Sequence, residues 1–392
     1  MSKQSFADLG VSSAVHGALG RRGITAPFPV QSLVLEDALR GRDVLVQSPT
    51  GSGKTLAFAI PIVERLRAGA ATPGALVLAP TRELARQIVG ELSDLVAAKG
   101  LTAAAVYGGV GVSAQASRAA KADVLVATPG RLEDLLARRA FTLSQIRILV
   151  LDEADRMLDM GFRPAIDRIV RACPDKRQTL FFSATLDGVS GQVAARYTVD
   201  AIAHEHAGPG RDEPARVEHR FVAVGDGERV SALVRQLQGE RDRAIVFVRT
   251  KRGADRLVKR LDERGVKAVS IHGDKSQGQR DRALSRFASG HVDTLVATDV
   301  AARGIDVGNV SHVVNFDAPA DDQAYIHRIG RTGRAGDRGV GVTLVGEGER
   351  DEIRRLARRL GLAHGLGGGE RRDGRHAPST RSRRRPQGRA AR

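Results

Sequence analysis

The amino-acid sequence predicts an α/β chain: two tandem domains, each a parallel sheet flanked by helices, joined by a short linker and followed by a disordered basic tail. Three observations carry this. Short runs rich in Val, Leu and Ile alternate with helical patterns along two separate stretches. The 392 residues exceed what one ordinary hydrophobic core holds. A Pro- and Gly-containing break divides the two stretches, and an Arg-rich end without apolar pattern follows the second.

In the first stretch the strand-like runs are Asp43–Gln47, Ala75–Ala79, Thr102–Val106, Asp123–Ala127, Arg147–Leu151 and Gln178–Phe182. Each is short and is followed by a loop with polar residues or glycine. The run from Ile146 to Leu151 is apolar except for Arg147, the pattern of a strand covered on both faces. His204 to Pro214 holds two prolines and two glycines and reads as a linker, placed at 204–216. The alternation resumes at Arg243–Val248, Lys267–Ile271, Asp293–Ala297, Ser311–Phe316 and Val340–Val345. The domains are therefore expected over 33–203 and 217–362, with a tail over 363–392.

Composition narrows the function classes. No apolar run reaches the roughly 18 residues of a membrane span, and the N-terminus lacks a signal-peptide core. The single Cys173 excludes an intramolecular disulfide and a cysteine metal cage, which fits a reducing cytoplasm. A net charge of +17 favours a polyanionic partner such as nucleic acid. From Ala363 to Arg392 nine Arg stand against Glu370 and Asp373, a net of +7 in thirty residues. With 11 Phe, 3 Tyr and no Trp, rows of bases stacked on aromatic side chains are not expected, and backbone contacts are.

The strand at Asp43–Gln47 runs into Ser48-Pro49-Thr50-Gly51-Ser52-Gly53-Lys54-Thr55 and then a helical pattern. This is the strand–loop–helix context of a phosphate-binding loop. Gly51 and Gly53 let backbone N–H groups approach phosphates, Lys54 can reach the terminal phosphates, and Thr55 can offer a hydroxyl to Mg²⁺. Ser48 stands where the general pattern has glycine. The strand ending at Leu151 runs into Asp152-Glu153-Ala154-Asp155. In an open α/β sheet the carboxyl ends of the strands form the ligand crevice, so these acids face what binds there. Asp152 is expected to hold Mg²⁺ through water, and Glu153 to orient and deprotonate the water that attacks the γ-phosphate of ATP.

Asp152-Glu153-Ala154-Asp155 spells the motif that names the DEAD-box ATP-dependent RNA helicases, and the chain resembles that family over residues 6–346. The resemblance implies two RecA-like domains, preceded by a Q-motif segment at 1–32. Gly23 to Gln31 resembles the Q motif. Gln31 is then expected to read the adenine edge, with Phe6 at the upstream aromatic position and Ile24 where relatives carry Phe or Tyr beside the base. Alone, Gln31 would read as a helix-surface residue.

Three further segments end strands in the first domain: Pro80-Thr81-Arg82, Gly108-Gly109 and Thr128-Pro129-Gly130-Arg131. Glycines, hydroxyls and a guanidinium suit backbone phosphates, although each segment singly is also an ordinary cap or turn. Together they resemble the family's RNA-contact motifs. Ser183-Ala184-Thr185 is by itself a hydroxyl-bearing turn; the resemblance implies that Ser183 and Thr185, with Asp155, couple nucleotide state to strand separation. In the second domain the resemblance assigns RNA contacts to Thr250, Gly273, Gln277, Arg280, Thr298, Asp299 and Arg303, and ribose contact to Asp306. His327 to Arg334 holds Arg331 and Arg334 three apart, on one helix face, where they can stabilise charge on a transferring phosphoryl group. His327 joins the coupling group.

The expected activity is RNA-stimulated ATP hydrolysis that closes the domains on ATP and RNA, opens short duplexes and remodels RNA–protein complexes without reading base sequence. Single-stranded and duplex RNA are the expected partners, with a monomer as the expected state. The tail reads either as an RNA tether or as a segment for ribosomal or RNA-decay protein partners. A DNA-translocating helicase and a non-catalytic RNA clamp are the rivals; the Q motif and Thr-Pro-Gly-Arg oppose the first, and Lys54, Glu153 and Arg334 the second.

Overall fold

The computed structural model describes residues 5–49, 52–206, 217–239, 241–302, 310–333 and 338–362. Thr50, Gly51, Arg303, Asp306, Arg334, the 207–216 part of the linker and the tail at 363–392 lie outside the described residues.

The first domain holds β1 (Val44–Gln47), β2 (Ala75–Leu78), β3 (Ala103–Val106), β4 (Val124–Ala127), β5 (Ile148–Leu151), β6 (Gln178–Ser183) and β7 (Ile202–Glu205). All seven are parallel, in the order β3-β4-β2-β5-β6-β1-β7. Successive side chains of a strand point to opposite faces, and the core divides accordingly. Ile148 and Val150 of β5 join one cluster with Ala75 and Val77, while Leu149 and Leu151 join the other with Leu76 and Leu78. The second domain holds β8 (Val217–Ala223), β9 (Arg243–Phe247), β10 (Ala268–Ile271), β11 (Thr294–Ala297), β12 (Val310–Asn315) and β13 (Gly339–Val345). These are also parallel, in the order β10-β11-β9-β12-β13-β8. Again Ile245 and Phe247 face one core and Ala244 and Val246 the other.

Two strands differ from expectation. β7 pairs with β1 through Glu205, so the first two residues read as linker belong to the sheet. β8, Val-Glu-His-Arg-Phe-Val-Ala, is a new edge strand against β13. Both lie at sheet edges and alternate half-buried with exposed residues, so neither carries the apolar run that marks the central strands.

Strand order positions the site. β6 lies between β1 and β5, so the loop after β1 and the acids after β5 are two strand spacings apart, about 10 Å. Ser183, at the end of β6, sits between them. The domains meet face to face: Arg280 pairs with Glu83 at 2.8 Å, both largely buried, and Arg86 pairs with Asp281 nearer the surface.

Candidate active site

The phosphate loop is braced from within. The Ser48 N–H donates to Ser183 O at 2.9 Å, and the Lys54 ammonium crosses the loop to Ser48 O at 2.8 Å. The Ser48 hydroxyl, standing where a glycine was the general pattern, meets the Ser52 hydroxyl at 2.6 Å; Ser52 also donates to Pro49 O at 3.0 Å. Lys54 opens the helix Lys54–Arg65, whose N-terminal N–H groups and dipole favour an anion. Gly53, at φ +90°, cannot be anything else without strain: a Cβ there would lie 2.5 Å from the Phe28 ring and 2.8 Å from the Gln31 amide.

Gln31 is buried and bonded to its own surroundings. Its Oε1 accepts from the Phe28 N–H at 2.9 Å and its Nε2 donates to Gly53 O at 3.0 Å, tying the Q-motif segment to the loop. One amide hydrogen remains for a base. Phe6 is fully buried in the first-domain core. Ile24 also packs against that core.

The two adjacent acids have opposite electrostatics. Asp152 is buried, and desolvation pushes its pKa up to about 7 against the pull of Lys54, with Glu153 adding to the rise. Burial pushes Glu153 up as well, but Arg156, Arg331 and Lys54 together outweigh it and hold the carboxyl below the ordinary range. Arg156 forms a buried ion pair with Glu153. Glu153 sits in the left-handed region at φ +49°, a backbone conformation that costs a non-glycine residue about 1 kcal/mol. Asp155 bridges to β6: its Oδ2 accepts from the Ala184 N–H at 3.1 Å. The Ser183 hydroxyl donates to Thr185 O at 2.5 Å and accepts from the Thr185 N–H at 3.3 Å.

The second domain enters this site. His327 lines a small cavity with Lys54, Glu153, Asp155, Arg156 and Ala184. Arg331 is buried, donates to His327 O at 3.3 Å, and is close enough to lower the Glu153 pKa. Thr55 is partly exposed beside Lys54 at the helix start.

The residues expected to face RNA divide. Pro80 and Pro129 are buried at strand ends, Gly130 is exposed, and Thr128 is buried at a helix N-terminus. Thr81 and Thr250 use their hydroxyls as helix caps, accepting from Leu84 N at 3.3 Å and Gly253 N at 3.0 Å. Gly109, at φ +86°, lies against Arg82, whose Nη1 would be 2.1 Å from a Cβ. Arg131 is a strut, donating to Val110 O at 3.1 Å and Gln115 Oε1 at 3.0 Å. Gly273 follows the buried His272, which is held at 3.0 Å by Asp255. Gln277 donates to Asp281 at 3.0 Å, and Thr298 is buried and caps Ala301 and Ala302 with its carbonyl.

Two of the residues expected to contact RNA are engaged in ion pairs within the protein. Arg280 points across the domain boundary into its pair with Glu83. Asp299 is clamped by Arg328 in two bonds of 2.6 and 2.7 Å, and Arg328 also holds Asn315 and Asp317 O and lies over the Phe247 ring. Sequence reasoning missed Arg156, Arg328, Glu83 and Phe28. The first three are charged residues beside or within recognised motifs that must be paired to be buried; Arg156 pairs with Glu153 three positions back, while Arg328 and Glu83 pair with residues distant in sequence or across the domain boundary.

The chain is similar to known proteins in sequence and in fold. Residues 28–191 match the DEAD/DEAH box helicase family and residues 228–336 the helicase conserved C-terminal domain. The chain is 41% identical over 361 residues to the DEAD-box ATP-dependent RNA helicase CshA of Geobacillus kaustophilus, covering 90% of this chain and 76% of that protein. Its fold is similar to S. cerevisiae Dbp5 bound to RNA and ADP BeF3, with a TM-score of 0.83 at 31% identity over 91% of this chain and 94% of that one. Against a Dbp5 variant bound to Nup159, Gle1, IP6 and ADP the TM-score is 0.60 at 29% identity, over 90% and 93% of the two chains.

Proposed function

The chain belongs to the DEAD-box ATP-dependent RNA helicases, and from that premise we propose that it hydrolyses ATP at the seam between its domains when RNA draws them together. It is an ATP-dependent RNA helicase; on our reading, closure of the two sheets on single-stranded RNA displaces the paired strand, and hydrolysis reopens the seam. The observation that carries the mechanism is the composition of the Glu153 environment. Lys54 and Arg156 come from the first domain and Arg331 from the second. A site that needs both domains turns over only when they are closed.

Lys54 and the helix N-terminus bind the phosphates, and Arg331 meets charge that develops on the transferred phosphoryl group, a role the sequence also assigns to Arg334. Glu153 orients the attacking water and receives its proton. Asp155 carries changes at the acids to the Ser183-Ala184-Thr185 turn through Ala184 N. Mg²⁺ fits the donor set. Asp152 is a buried anion that burial pushes up to about 7, as expected of a carboxylate short of a matching cation, and Thr55 adds a hydroxyl. Among the described residues no group of three His, Cys, Asp or Glu could hold a metal. When bound, Mg²⁺ would be held by Asp152 and Thr55 and would supply positive charge to the phosphates.

RNA is held by its backbone through the glycines, hydroxyls and arginines at the strand ends, which leaves sequence unread. Among the described residues no helix is long and apolar enough to cross a membrane. Work in the cytoplasm as a monomer, with the basic tail tethering RNA or engaging ribosomal or RNA-decay proteins, completes the reading. The test is Glu153→Gln: RNA-stimulated ATP turnover should fall by at least 100-fold while ATP-dependent RNA binding persists. Unchanged turnover would overturn it.

A further inference from the structure

We propose that Phe28 is the platform on which the nucleotide base stacks, a role that no recognised motif position in this chain supplies. The inference rests on the ATP site proposed above. Ile24, the position that the resemblance places beside the base, has its side chain packed against the first-domain core, and Phe6 is fully buried. Ile24 is half-buried and aliphatic and Phe6 is out of reach of solvent, so neither offers an aromatic face. Phe28 does: it is 57% exposed, and it is the sole aromatic among the large exposed apolar side chains of the described residues.

Its position is that of a wall beside the phosphate loop. The ring lies over Gly53, close enough that a Cβ on Gly53 would be 2.5 Å from it. Its own N–H is held by Gln31 Oε1 at 2.9 Å, so ring and amide are locked side by side. Pro27 and Pro29 flank it, and its backbone at φ −71° and ψ 158° is the extended conformation a residue before proline prefers. The ring is thus presented on a stiff frame. It also occupies the N-cap of helix Pro29–Leu39 with no side-chain cap bond, where Ser, Thr, Asp or Asn would serve the helix better. An exposed ring at a helix cap, touching the loop that holds phosphates, is explained by a planar ligand.

Stacking contributes affinity without choosing among purines, because every base has a π-face. Choice is left to Gln31, whose amide is already half engaged by Phe28 and Gly53. The arrangement therefore separates base affinity, from Phe28, from base identity, from Gln31.

The experiment uses the full chain and direct binding. Phe28→Ala should raise the Kd for ATP and for GTP about tenfold each, leaving their ratio unchanged, while inorganic tripolyphosphate binds as before. Phe28→Tyr should restore ATP affinity, and unchanged tripolyphosphate binding by Phe28→Ala separates lost stacking from lost folding or loop geometry. Because the chain has no Trp, Phe28→Trp installs a single reporter. Its emission should be quenched by ATP and ADP and not by tripolyphosphate. ATP affinity within twofold of wild type in Phe28→Ala, or equal quenching by tripolyphosphate, overturns the proposal and leaves the ATPase reading standing. A wild-type chain that binds no ATP would remove both.

Discussion

The pair between Arg280 and Glu83 gives a sharp test of how closure is held. Both side chains are largely buried, at 10% and 7% exposure, and they belong to different domains. Arg280→Ala would leave Glu83 buried without its cation whenever the domains close, whereas in the open state Glu83 would be hydrated. Removing one partner of a buried pair costs about 3 kcal/mol at the low end. The low end applies because Glu83 Oε1, though 2.8 Å from Arg280 Nη2, makes no aligned hydrogen bond. All of that cost falls on the closed state, so RNA affinity in the presence of a non-hydrolysable ATP analogue should weaken roughly 100-fold. RNA affinity without nucleotide should change little. Arg86→Ala breaks the neighbouring pair with Asp281, whose partners are 45% and 40% exposed, and should cost about fivefold at most. Fluorescence anisotropy of a labelled single strand, with and without the analogue, measures both. If Arg280→Ala weakens RNA binding equally under the two conditions, Arg280 is an RNA contact and the cross-domain argument fails.

Gly109→Ala should weaken RNA binding at least fivefold with basal ATPase intact, since the new Cβ at φ +86° would displace Arg82; RNA titration of the ATPase checks it. Arg331→Ala removes a cation that holds Glu153 down against the upward push of burial. The Glu153 pKa should rise, so the acid limb of the kcat profile should move to higher pH along with the loss of rate; an unmoved limb would separate Arg331 from Glu153. In the second domain, burial lowers the pKa of His219 and His312, so both are neutral in the fold and are more easily protonated when unfolded. Their contribution to stability is present above about pH 6.5 and is lost as pH falls below it, so urea denaturation should show a lower midpoint at pH 5.5 than at pH 7.5.

Much of this architecture was legible because parallel sheets covered on both faces leave continuous apolar runs. Leu149, Val150 and Leu151 announce β5 without any tertiary information, and the acids that follow it must then leave the core. β7 and β8 were not legible for the converse reason: as edge strands they bury one face only in part, and His204, Glu205, Glu218 and Arg220 dilute the pattern. The phosphate loop and the acid pair could be read because their chemistry is local in sequence. The roles of Arg280 and Asp299 could not. Glu83 is 197 residues from Arg280 and lies in another domain, while Arg328 is 29 from Asp299, and a solvent-facing guanidinium and a paired one have the same sequence signature. Phe28 escaped notice because an aromatic beside two prolines carries no periodicity; only its exposure beside Gly53 distinguishes it.

The divided construction of the site also fixes how its two ligands must influence each other. Closure brings Arg331 and His327 to the acids of the first domain, and it forms the Arg280–Glu83 pair at the same time. On the proposed mechanism ATP adds Arg331 to the first-domain Lys54 only in the closed form, and RNA spans both sheets only there. Each ligand therefore shifts one shared equilibrium by its differential affinity for the closed state. The factor by which RNA tightens ATP must equal the factor by which ATP tightens RNA, whatever its size. A substitution at the boundary that touches neither ligand, such as Arg280→Ala, must lower both affinities of the doubly bound state through the same closure term. A substitution inside one site, such as Phe28→Ala, lowers one intrinsic affinity and leaves the coupling factor intact. Measuring both affinities with and without the other ligand thus separates the residues that hold the domains together from those that hold the ligands.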